Sequence, residues 1–392
     1  MLRRAFVLLC GTLALAACGS SNTGAPGAMN QPPGPGPGQT LSSIPAPTGP
    51  INPGQVAILL PLSGRLADIG RPMLRAAQLY LAFPGSPTLI VKDTAGSPDT
   101  AAQAAEEAVG EGAKLILGPV TSTETARVAP IAQRAGVPVL AFTNDQTVSQ
   151  SGVWTLGITP GQQVRRLVGA VRDARLGPVA ALLPDNDFGK AMGDEFTRIA
   201  SAEGQPPPFL RMIGPGEEAI TAAVAELAGT ASEDQPLPYG TILLGSVGND
   251  LKVFAKAFAD AKIDRAKVQI LGPALWVDPA SGSAALAGAW FAMPDPDARR
   301  DLIRDYTAAY KEPPPPRADL ASDAASIARV LAGRVSVSAL TQPVGFAGVD
   351  GWFALLPDGQ VRRGLAVFRV ERNGRATKIS DAPSGPSTAP GG

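Results

Sequence analysis

Apolar runs of strand length alternate with segments of helical periodicity along residues 54–271. The run 56–61 (VAILLP) is continuously apolar, which is typical of a strand buried on both faces, and apolar residues in 72–83 then recur at helical spacing. This alternation predicts an α/β fold with parallel sheets and right-handed crossovers, and its two successive runs predict two lobes. Further strands are predicted at 88–92, 114–117, 137–142, 179–183, 209–213, 241–244 and 268–271, with helices between them.

The pattern changes after residue 271. Two helical segments, 297–310 and 320–332, follow each other without a strand between them. Segments 351–356 and 363–370 are then separated by a Pro-Asp-Gly turn at 357–359. We therefore expect a pair of helices followed by a closing antiparallel hairpin.

The chain begins with a pattern typical of a lipoprotein signal. Two arginines precede an apolar stretch that is too short for a permanent membrane span, and small residues lead to the run 15–18 (LAAC). We expect removal of residues 1–17 and a lipid on Cys18, which anchors the protein to a membrane outside the cytoplasm. An ordinary secretory signal with a chance cysteine is the alternative. Residues 18–53 are rich in Pro and Gly, which predicts a tether.

Composition excludes several kinds of chemistry. The chain has no His, and once Cys10 leaves with the signal and Cys18 carries lipid, no thiol remains. These absences remove the usual catalytic triads and His-ligated zinc, and no Ser-x-x-Lys motif replaces them. With 34 basic and 34 acidic residues, the chain has no charge excess for nucleic acid. We expect no catalysis, cofactor or metal; a hydrolase using Asp185 and Asp187 is the remaining enzyme alternative.

Polar and small residues follow the predicted strands at the ends where a doubly wound sheet binds its ligands. Hydroxyl groups beside the free N–H groups of a helix start suit a carboxylate, so the first lobe is expected to hold an acid. Other interpretations stay open: Thr121 and Ser122 could simply cap a helix, Asp187 could belong to a turn, and Trp276 could be a core residue. The candidates are Ser63, Thr121, Ser122, Ala141 and Thr143 in the first lobe, and Asp187, Phe188, Asn249, Asp250 and Trp276 in the second.

Short motifs mark the same strand ends in a characteristic order. They are Pro61-Leu62-Ser63-Gly64, Leu117-Gly118-Pro119, Val137-Pro138-Val139, Asp187-Phe188-Gly189-Lys190, Leu271-Gly272-Pro273, Ser322-Asp323-Ala324 and the run 346–351 (FAGVDG). In this order and spacing, from Val56 to about Ile379, the chain resembles the type I periplasmic binding proteins, the fold of the branched-chain amino acid receptors. The segment from Leu59 to Ala67 is most similar to one branch of them, the lipoprotein activators of penicillin-binding proteins.

The resemblance implies a two-lobed clamshell in which each lobe is a mainly parallel sheet flanked by helices. It implies an N-terminal lobe of residues 54–158 plus 284–336 and a C-terminal lobe of residues 159–283 plus 337–379. The chain would then cross between the lobes three times. Residues 380–392 are predicted to be a disordered tail.

The resemblance carries over only half of the amino acid site. Ser122, the backbone of Ala141, and Thr143 match the receptor positions that hold the ligand carboxylate. Phe188 stands where those receptors have a Tyr, and Ala274 stands where they have the Glu that binds the ligand ammonium. Burying an unpaired ammonium is unfavourable, so a standard branched-chain amino acid is not the expected ligand. A small carboxylate-bearing molecule is the expected ligand, and the alternative is that Asp250 or Asp278 replaces the missing Glu.

Two functions fit these observations. The first is a non-catalytic regulator of peptidoglycan synthesis with a peptidoglycan synthase as partner, supported by the first motif, the lipid signal and the incomplete amino acid site. The alternative is a substrate-binding receptor for an ABC permease that imports amino acids or amides, supported by the fold and by Ser122 and Thr143. Gly19 after the lipidated Cys18 resembles an outer-membrane address, so we expect a periplasmic protein anchored to the outer membrane.

Overall fold

The computed structural model describes residues 53–206, 208–231, 237–277 and 286–386. The predicted signal peptide, Cys18, the tether up to residue 52, and residues 387–392 of the predicted tail lie outside these ranges. In the described ranges, no helix is both long enough and apolar enough to cross a membrane.

The described residues form strands and helices in the predicted alternating order. The strands are β1 (Gln55–Leu60), β2 (Thr88–Asp93), β3 (Ile116–Leu117), β4 (Val139–Ala141), β5 (Val153–Thr155), β6 (Val179–Pro184), β7 (Leu210–Ile213), β8 (Thr241–Leu244), β9 (Gln269–Gly272), β10 (Trp290–Met293), β11 (Phe346–Gly348), β12 (Gly351–Leu355), β13 (Val361–Arg363), β14 (Ala366–Val370) and β15 (Ala376–Ser380). The helices are α1 (Ala67–Leu81), α2 (Pro98–Gly110), α3 (Ser122–Arg134), α4 (Pro160–Asp173), α5 (Asp187–Ala202), α6 (Glu217–Ala228), α7 (Asp250–Asp260), α8 (Arg300–Tyr310), α9 (Ala318–Val330) and α10 (Val337–Leu340).

The first sheet is parallel throughout and has the order β2-β1-β3-β4-β5. Its central strand β1 is buried from Val56 to Leu60, as its continuous apolar run predicts. Helices α1 and α9 pack on one face of the sheet, and α2 and α3 pack on the other. Because the strands are parallel, the loops after β1, β3 and β4 all lie at one edge of the sheet.

The second sheet repeats this design. Its parallel part has the order β7-β6-β8-β9-β10, which matches the order of the first sheet, and β14 and β15 extend it in antiparallel fashion beyond β10. The two sheets with their helices confirm the predicted fold of two lobes, each a mainly parallel sheet flanked by helices.

Helix α9 is buried from Ala318 to Ala328, almost its whole length. Its small residues pack in the same core cluster as Met73 and Ala77 of α1. A helix of this kind brings any acid on it into the core, and α9 carries two, Asp319 and Asp323.

The predicted lobe boundaries need correction at two segments. Residues 284–336 were expected in the first lobe, but β10 pairs with β9 and β14 of the second sheet, and Phe291 stacks on Phe368 with ring centroids 5.7 Å apart. Residues 337–379 were expected in the second lobe, but β11, β12 and β13 form a small antiparallel sheet whose Phe346 and Phe353 belong to the first-lobe core. Apolar packing therefore places β10 in the second lobe and β11, β12 and β13 in the first lobe.

The predicted closing hairpin is also different. β12 pairs with β13 across the expected turn, but the apolar run that follows is split at Gly364, and β14 belongs to the second sheet. A Cβ atom on Gly364 would lie 2.4 Å from the Pro383 carbonyl oxygen, so the chain needs a glycine at this break. In the described residues, the chain passes between the lobes after β5, after β10 and after β13.

Candidate functional site

Asp93, at the end of β2, organises the loop after β1. Its Oδ1 accepts hydrogen bonds from the backbone N–H groups of Leu62 (2.8 Å), Ser63 (3.2 Å) and Ala95 (2.8 Å). Burial favours the neutral acid, but these bonds and one from the Ser63 hydroxyl hold the pKa of Asp93 below its ordinary value. The exposed Ser63 is therefore already engaged with a carboxylate of its own chain.

The Thr121 side chain caps helix α3. Its Oγ1 accepts a hydrogen bond from the Glu124 N–H (3.2 Å), and Glu124 Oε2 accepts from the Thr121 N–H (3.0 Å) and hydroxyl (2.7 Å). These reciprocal bonds form a capping box. The capping interpretation of Thr121 therefore accounts for its hydroxyl.

Ser122 and Thr143, predicted to hold a ligand carboxylate, meet at Asp145. The Asp145 N–H donates to Thr143 Oγ1 (3.1 Å), and the Ser122 hydroxyl donates to the Asp145 carboxylate. That carboxylate also accepts from the Thr147 N–H (2.9 Å) and hydroxyl (2.6 Å). Burial opposes ionisation, but these bonds hold the pKa of Asp145 below its ordinary value. The Asp145 carboxylate thus engages the Ser122 hydroxyl, and the Asp145 backbone N–H engages that of Thr143. Ala141, at the end of β4, is buried.

Candidates at the start of α5 are not gathered into a polar site. Asn186 caps this helix, because its Oδ1 accepts from the Gly189 N–H at 2.9 Å. Asp187 is exposed, and half-buried Phe188 packs against the second-lobe core. The turn interpretation of this segment therefore fits the structure.

Trp276 is a core residue of the second lobe. It is 3% exposed, and its indole N–H donates to the Ser246 carbonyl oxygen at 3.0 Å. A Cβ atom on Gly272 would lie 2.1 Å from the Trp276 ring, so the glycine makes room for the indole. Asn249 and Asp250, which begin α7, are both exposed, and the Asn249 side chain makes no capping bond.

The second-lobe edge near Ala274 is apolar. The Ala274 N–H donates to Gln163 Oε1 at 2.7 Å, which ties this loop to α4. Beside it, Leu275 is 57% exposed, and Val247, next to Ser246, is 41% exposed. The described part of this loop thus offers apolar side chains where the resemblance would place an acid for an ammonium.

A buried cluster of charges lies where the chain passes between the lobes. Arg299 pairs with Asp319 and with both oxygens of Asp350. Arg363 donates to Asp323 Oδ2 at 3.3 Å, and the side chains of this pair are fully buried. Sequence reasoning missed this cluster as a site, although acids at the i and i+4 positions of an otherwise apolar helix were a usable signal.

The carboxylates of the cluster titrate differently. Burial raises the pKa of Asp319 to about 8, with a further contribution from its hydrogen bond to Asp350. Burial also raises the pKa of Asp323 to about 6, which the opposing charge of Arg363 limits. Burial has the same tendency at Asp350, but hydrogen bonds from Asp319 and Arg299 hold its pKa below the ordinary value. Asp319 is therefore the acid of the cluster that keeps a proton at neutral pH.

A cavity of about 260 Å³ opens beside this cluster. Of the predicted site residues, only Thr143 contributes to its described lining. Its polar lining comes from the ends of β4 and α9 and from the second passage between the lobes: Thr143, Asn144, Arg299, Arg317 and Asp319. Within the described ranges, no group of three or more His, Cys, Asp or Glu side chains is arranged to hold a metal ion.

The model of the periplasmic binding protein family matches residues 53–375. No curated protein matches the chain. Among solved structures, a putative branched-chain amino acid ABC transporter from Rhodospirillum rubrum is similar at 19% identity and a TM-score of 0.69, covering 83% of this chain and 99% of that one.

Two further structures have the same fold. LpoA from Haemophilus influenzae is similar at 16% identity and a TM-score of 0.64, over 83% of this chain and 59% of that one. LivJ from Streptococcus pneumoniae, in complex with isoleucine, is similar at 18% identity and a TM-score of 0.53, over 84% of this chain and 99% of that one. At these identities the similarity establishes the fold alone.

Proposed function

The chain belongs to the periplasmic binding protein family, and from that premise we propose that it is a non-catalytic, lipid-anchored periplasmic protein that regulates peptidoglycan synthesis. Its partner is a peptidoglycan synthase, and its anchor is the lipid on Cys18 in the outer membrane. The fold is common to receptors and regulators, so the argument depends on the cleft residues.

The observation that carries this proposal is the position of Asp145. Its carboxylate already accepts the Ser122 hydroxyl and two bonds from Thr147. A ligand carboxylate at the same hydroxyls would have to displace it or share the site with it, and two ionised carboxylates in one site repel each other. Asp145 of the chain itself thus stands where the first-lobe half of an amino acid site would hold the ligand carboxylate.

The second lobe supports the same conclusion. Ala274 supplies no carboxylate for a ligand ammonium, and the exposed neighbours Leu275 and Val247 are apolar. An ammonium enclosed against these described side chains would lose its hydration without gaining a partner among them, which is strongly unfavourable. The likeness to LpoA covers only part of that protein, and it supports the fold of a regulator rather than the identity of its partner.

A receptor for an ABC permease is the second candidate. Ser122, Ala141 and Thr143 are all present at the strand ends, and the Rhodospirillum rubrum structure is covered over 99% of its length. If the protein is such a receptor, Asp145 moves away from Ser122 when a ligand binds.

The direct test is enzymatic. The purified lipidated protein is added, in detergent, to the bifunctional peptidoglycan synthases of its own organism, and glycan polymerisation and cross-linking are measured. We expect at least one rate to rise at saturating protein. Unchanged rates for every synthase, together with a leucine-induced rise in melting temperature that Ser122→Ala removes, would make the permease receptor the better conclusion.

A second test examines the strand-end cradle, the pair of hydroxyls on Ser122 and Thr143, beside Asp145. Asp145→Ala removes the carboxylate that engages the Ser122 hydroxyl, while the backbone N–H bond to Thr143 Oγ1 remains. A carboxylate that has the leucine carbon chain without the ammonium, 4-methylpentanoate, should therefore bind and raise the melting temperature. The unmodified protein and the control Asp187→Ala, which removes an exposed acid at the start of α5, should show no shift. Equal shifts in all of the proteins would show that Asp145 does not block the site.

A further inference from the structure

We propose that an open cavity of about 560 Å³ in the second lobe binds a small aromatic molecule that carries one anionic group. The cavity lies at the edge of the second sheet opposite to the strand ends that hold the predicted site residues. This proposal does not depend on the proposed function, and the two are tested by different experiments.

The position of the cavity follows from the topology of the second sheet. Val179 begins β6, Phe209 directly precedes β7, and Tyr239 lies two residues before β8; all three line the cavity. Because these strands are parallel, the residues that precede them lie at one edge of the sheet and those that follow lie at the other. Asp187 and Asn249 follow β6 and β8. The cavity is therefore separate from the cleft where those candidates were sought.

The walls that α4 and α5 give the cavity are apolar. They are formed by side chains from the C-terminal halves of the two helices: Val168, Val171, Phe196, Ile199 and Ala200. All of these except the half-buried Val168 are buried, although they border the open space. An apolar body that displaces water from such walls gains free energy.

Two aromatic rings line the cavity from the strand starts. Phe209 and Tyr239 have ring centroids 5.7 Å apart and ring planes tilted by 51°. Such rings pack favourably against a further ring in edge-to-face or offset geometry. The volume of about 560 Å³ falls within the range of about 300 to 1,000 Å³ that is usual for small-molecule sites. The apolar part of the ligand is therefore expected to be aromatic.

The polar end of the cavity lies where α4 and α5 end. After α4, the Leu176 N–H donates to the Val171 carbonyl oxygen at 3.1 Å. After α5, the Gln205 N–H donates to the Ala200 carbonyl oxygen at 2.9 Å. These bonds engage carbonyl groups that a helix end otherwise leaves without a partner. Charged side chains therefore dominate the polarity of this end.

The charged side chains in the described lining are Arg172, Arg175 and Glu203. Arg172 Nη1 donates to Glu203 Oε1 at 2.8 Å, so these two charges offset each other. Arg175 is exposed, and within the described residues its side chain makes no ion pair or hydrogen bond. A single unbalanced positive charge beside an apolar cavity favours a ligand with one anionic group.

The test compares three probes that share a naphthalene body, using the full-length protein. 2-Naphthoate is the anion, 2-naphthamide is its neutral counterpart, and 2-naphthylmethylamine is a cation at about pH 7. Isothermal titration calorimetry should show 2-naphthoate binding at a single site. The amide should bind about threefold to fivefold more weakly, because it lacks the charge, and the amine should bind most weakly.

A charge variant and its matched control identify the cation. Arg175 has a φ of 55°, which Asn tolerates, so Arg175→Asn removes the charge without straining the backbone. It should weaken 2-naphthoate by about threefold to fivefold and leave 2-naphthamide unchanged. Lys262 is also exposed with a φ of 55°, follows α7 of the same lobe and does not contribute to the described lining. Lys262→Asn should change neither affinity.

Two further variants test the location. Val168→Trp fills the cavity from a half-buried position on α4 and should abolish binding of 2-naphthoate and 2-naphthamide. Glu203→Gln removes the acid that pairs with Arg172, so it should strengthen 2-naphthoate by about threefold and leave 2-naphthamide unchanged. Circular dichroism and melting temperatures check that each variant is folded.

Three results would overturn the proposal. The first is that 2-naphthoate does not bind, or binds no more tightly than 2-naphthylmethylamine. The second is that folded Val168→Trp binds 2-naphthoate as tightly as the unmodified protein does. The third is that Arg175→Asn leaves the affinity for 2-naphthoate unchanged or weakens the acid and the amide equally.

Discussion

Arg363→Leu tests whether the buried ion pair holds the lobe junction. Arg363 and Asp323 are both fully buried, and the Arg363 Nη2 donates to the Leu156 carbonyl oxygen at 3.1 Å. The guanidinium carbon lies 4.9 Å from the Phe353 ring centroid. Leucine at this position leaves Asp323 buried without its counter-charge, and removal of one partner of such a pair lowers the free energy of unfolding by about 3 to 5 kcal/mol.

The pH dependence separates this electrostatic loss from a loss of packing. Burial raises the pKa of Asp323 to about 6 from an ordinary value of 3.8, and loss of Arg363 raises it further. A carboxyl with a raised pKa in the folded state destabilises that state only once it ionises. The penalty of Arg363→Leu should therefore be largest above pH 7, should shrink as the pH falls towards about 6, and should change little below that, where Asp323 is protonated in both proteins.

Urea denaturation at pH 8 and pH 5 measures both effects. Arg362→Leu is the matched control, since Arg362 is exposed on the same strand, and it should change the free energy of unfolding by less than about 0.5 kcal/mol. Combining Arg363→Leu with Asp323→Asn should recover much of the loss, because the amide needs no counter-charge and still accepts from the Val349 N–H. If Arg363→Leu costs no more than the control, or costs the same at both pH values, the reasoning is wrong.

Three other outcomes are expected. Trp276→Ala should lower the free energy of unfolding by about 3 to 5 kcal/mol in urea denaturation, because a buried indole is lost, whereas Leu275→Ala, at a 57% exposed side chain, should change it little. As the pH rises from roughly 4 to 8, Asp319→Asn should gain stability relative to the unmodified protein by up to about 1.4 kcal/mol per pH unit. Burial raises the pKa of native Asp319 to about 8, so over this range folding of the unmodified protein must take up a proton that its unfolded chain has lost; denaturation midpoints across the range measure the difference. Cys18→Ala should release a soluble periplasmic form or leave an uncleaved precursor, as fractionation will show; a membrane-bound, mature variant would contradict the lipid anchor.

The sequence predicted the strands and helices that carry strong local signals. The strand predicted from the apolar run 56–61 is confirmed, and Thr121 caps a helix as one interpretation of the sequence proposed. Among the strands that the sequence missed, β5 and β11 have only three residues each, while β10 and β15 lie outside the regular alternation. The lobe assignment of 346–363 could not be read locally, because the apolar side of a short strand fits either core and only packing selects one.

The candidate site was predicted less well, because its contacts join distant parts of the chain. Ser122 and Thr143 were identified from their helix-start and strand-end positions, but Asp145, which follows Thr143 in the same loop, is distant in sequence from Ser122. For Trp276, an aromatic after a strand end fits both a cleft wall and a core. The adjacent Gly272, whose missing side chain admits the indole, becomes informative only when the packing is known.

The two polar regions differ in how completely their carboxylates are satisfied, and that difference indicates where a ligand can gain free energy. Asp145 accepts several hydrogen bonds from its own chain, and its lowered pKa is the consequence, so a ligand must break bonds before it makes any. Among the described residues, Asp319 Oδ1 has no hydrogen-bond partner, and burial raises the pKa of this carboxyl instead. Binding energy comes from groups left unsatisfied in the free state. On this argument the hydroxyls at the strand ends offer a ligand carboxylate little free energy until Asp145 moves away.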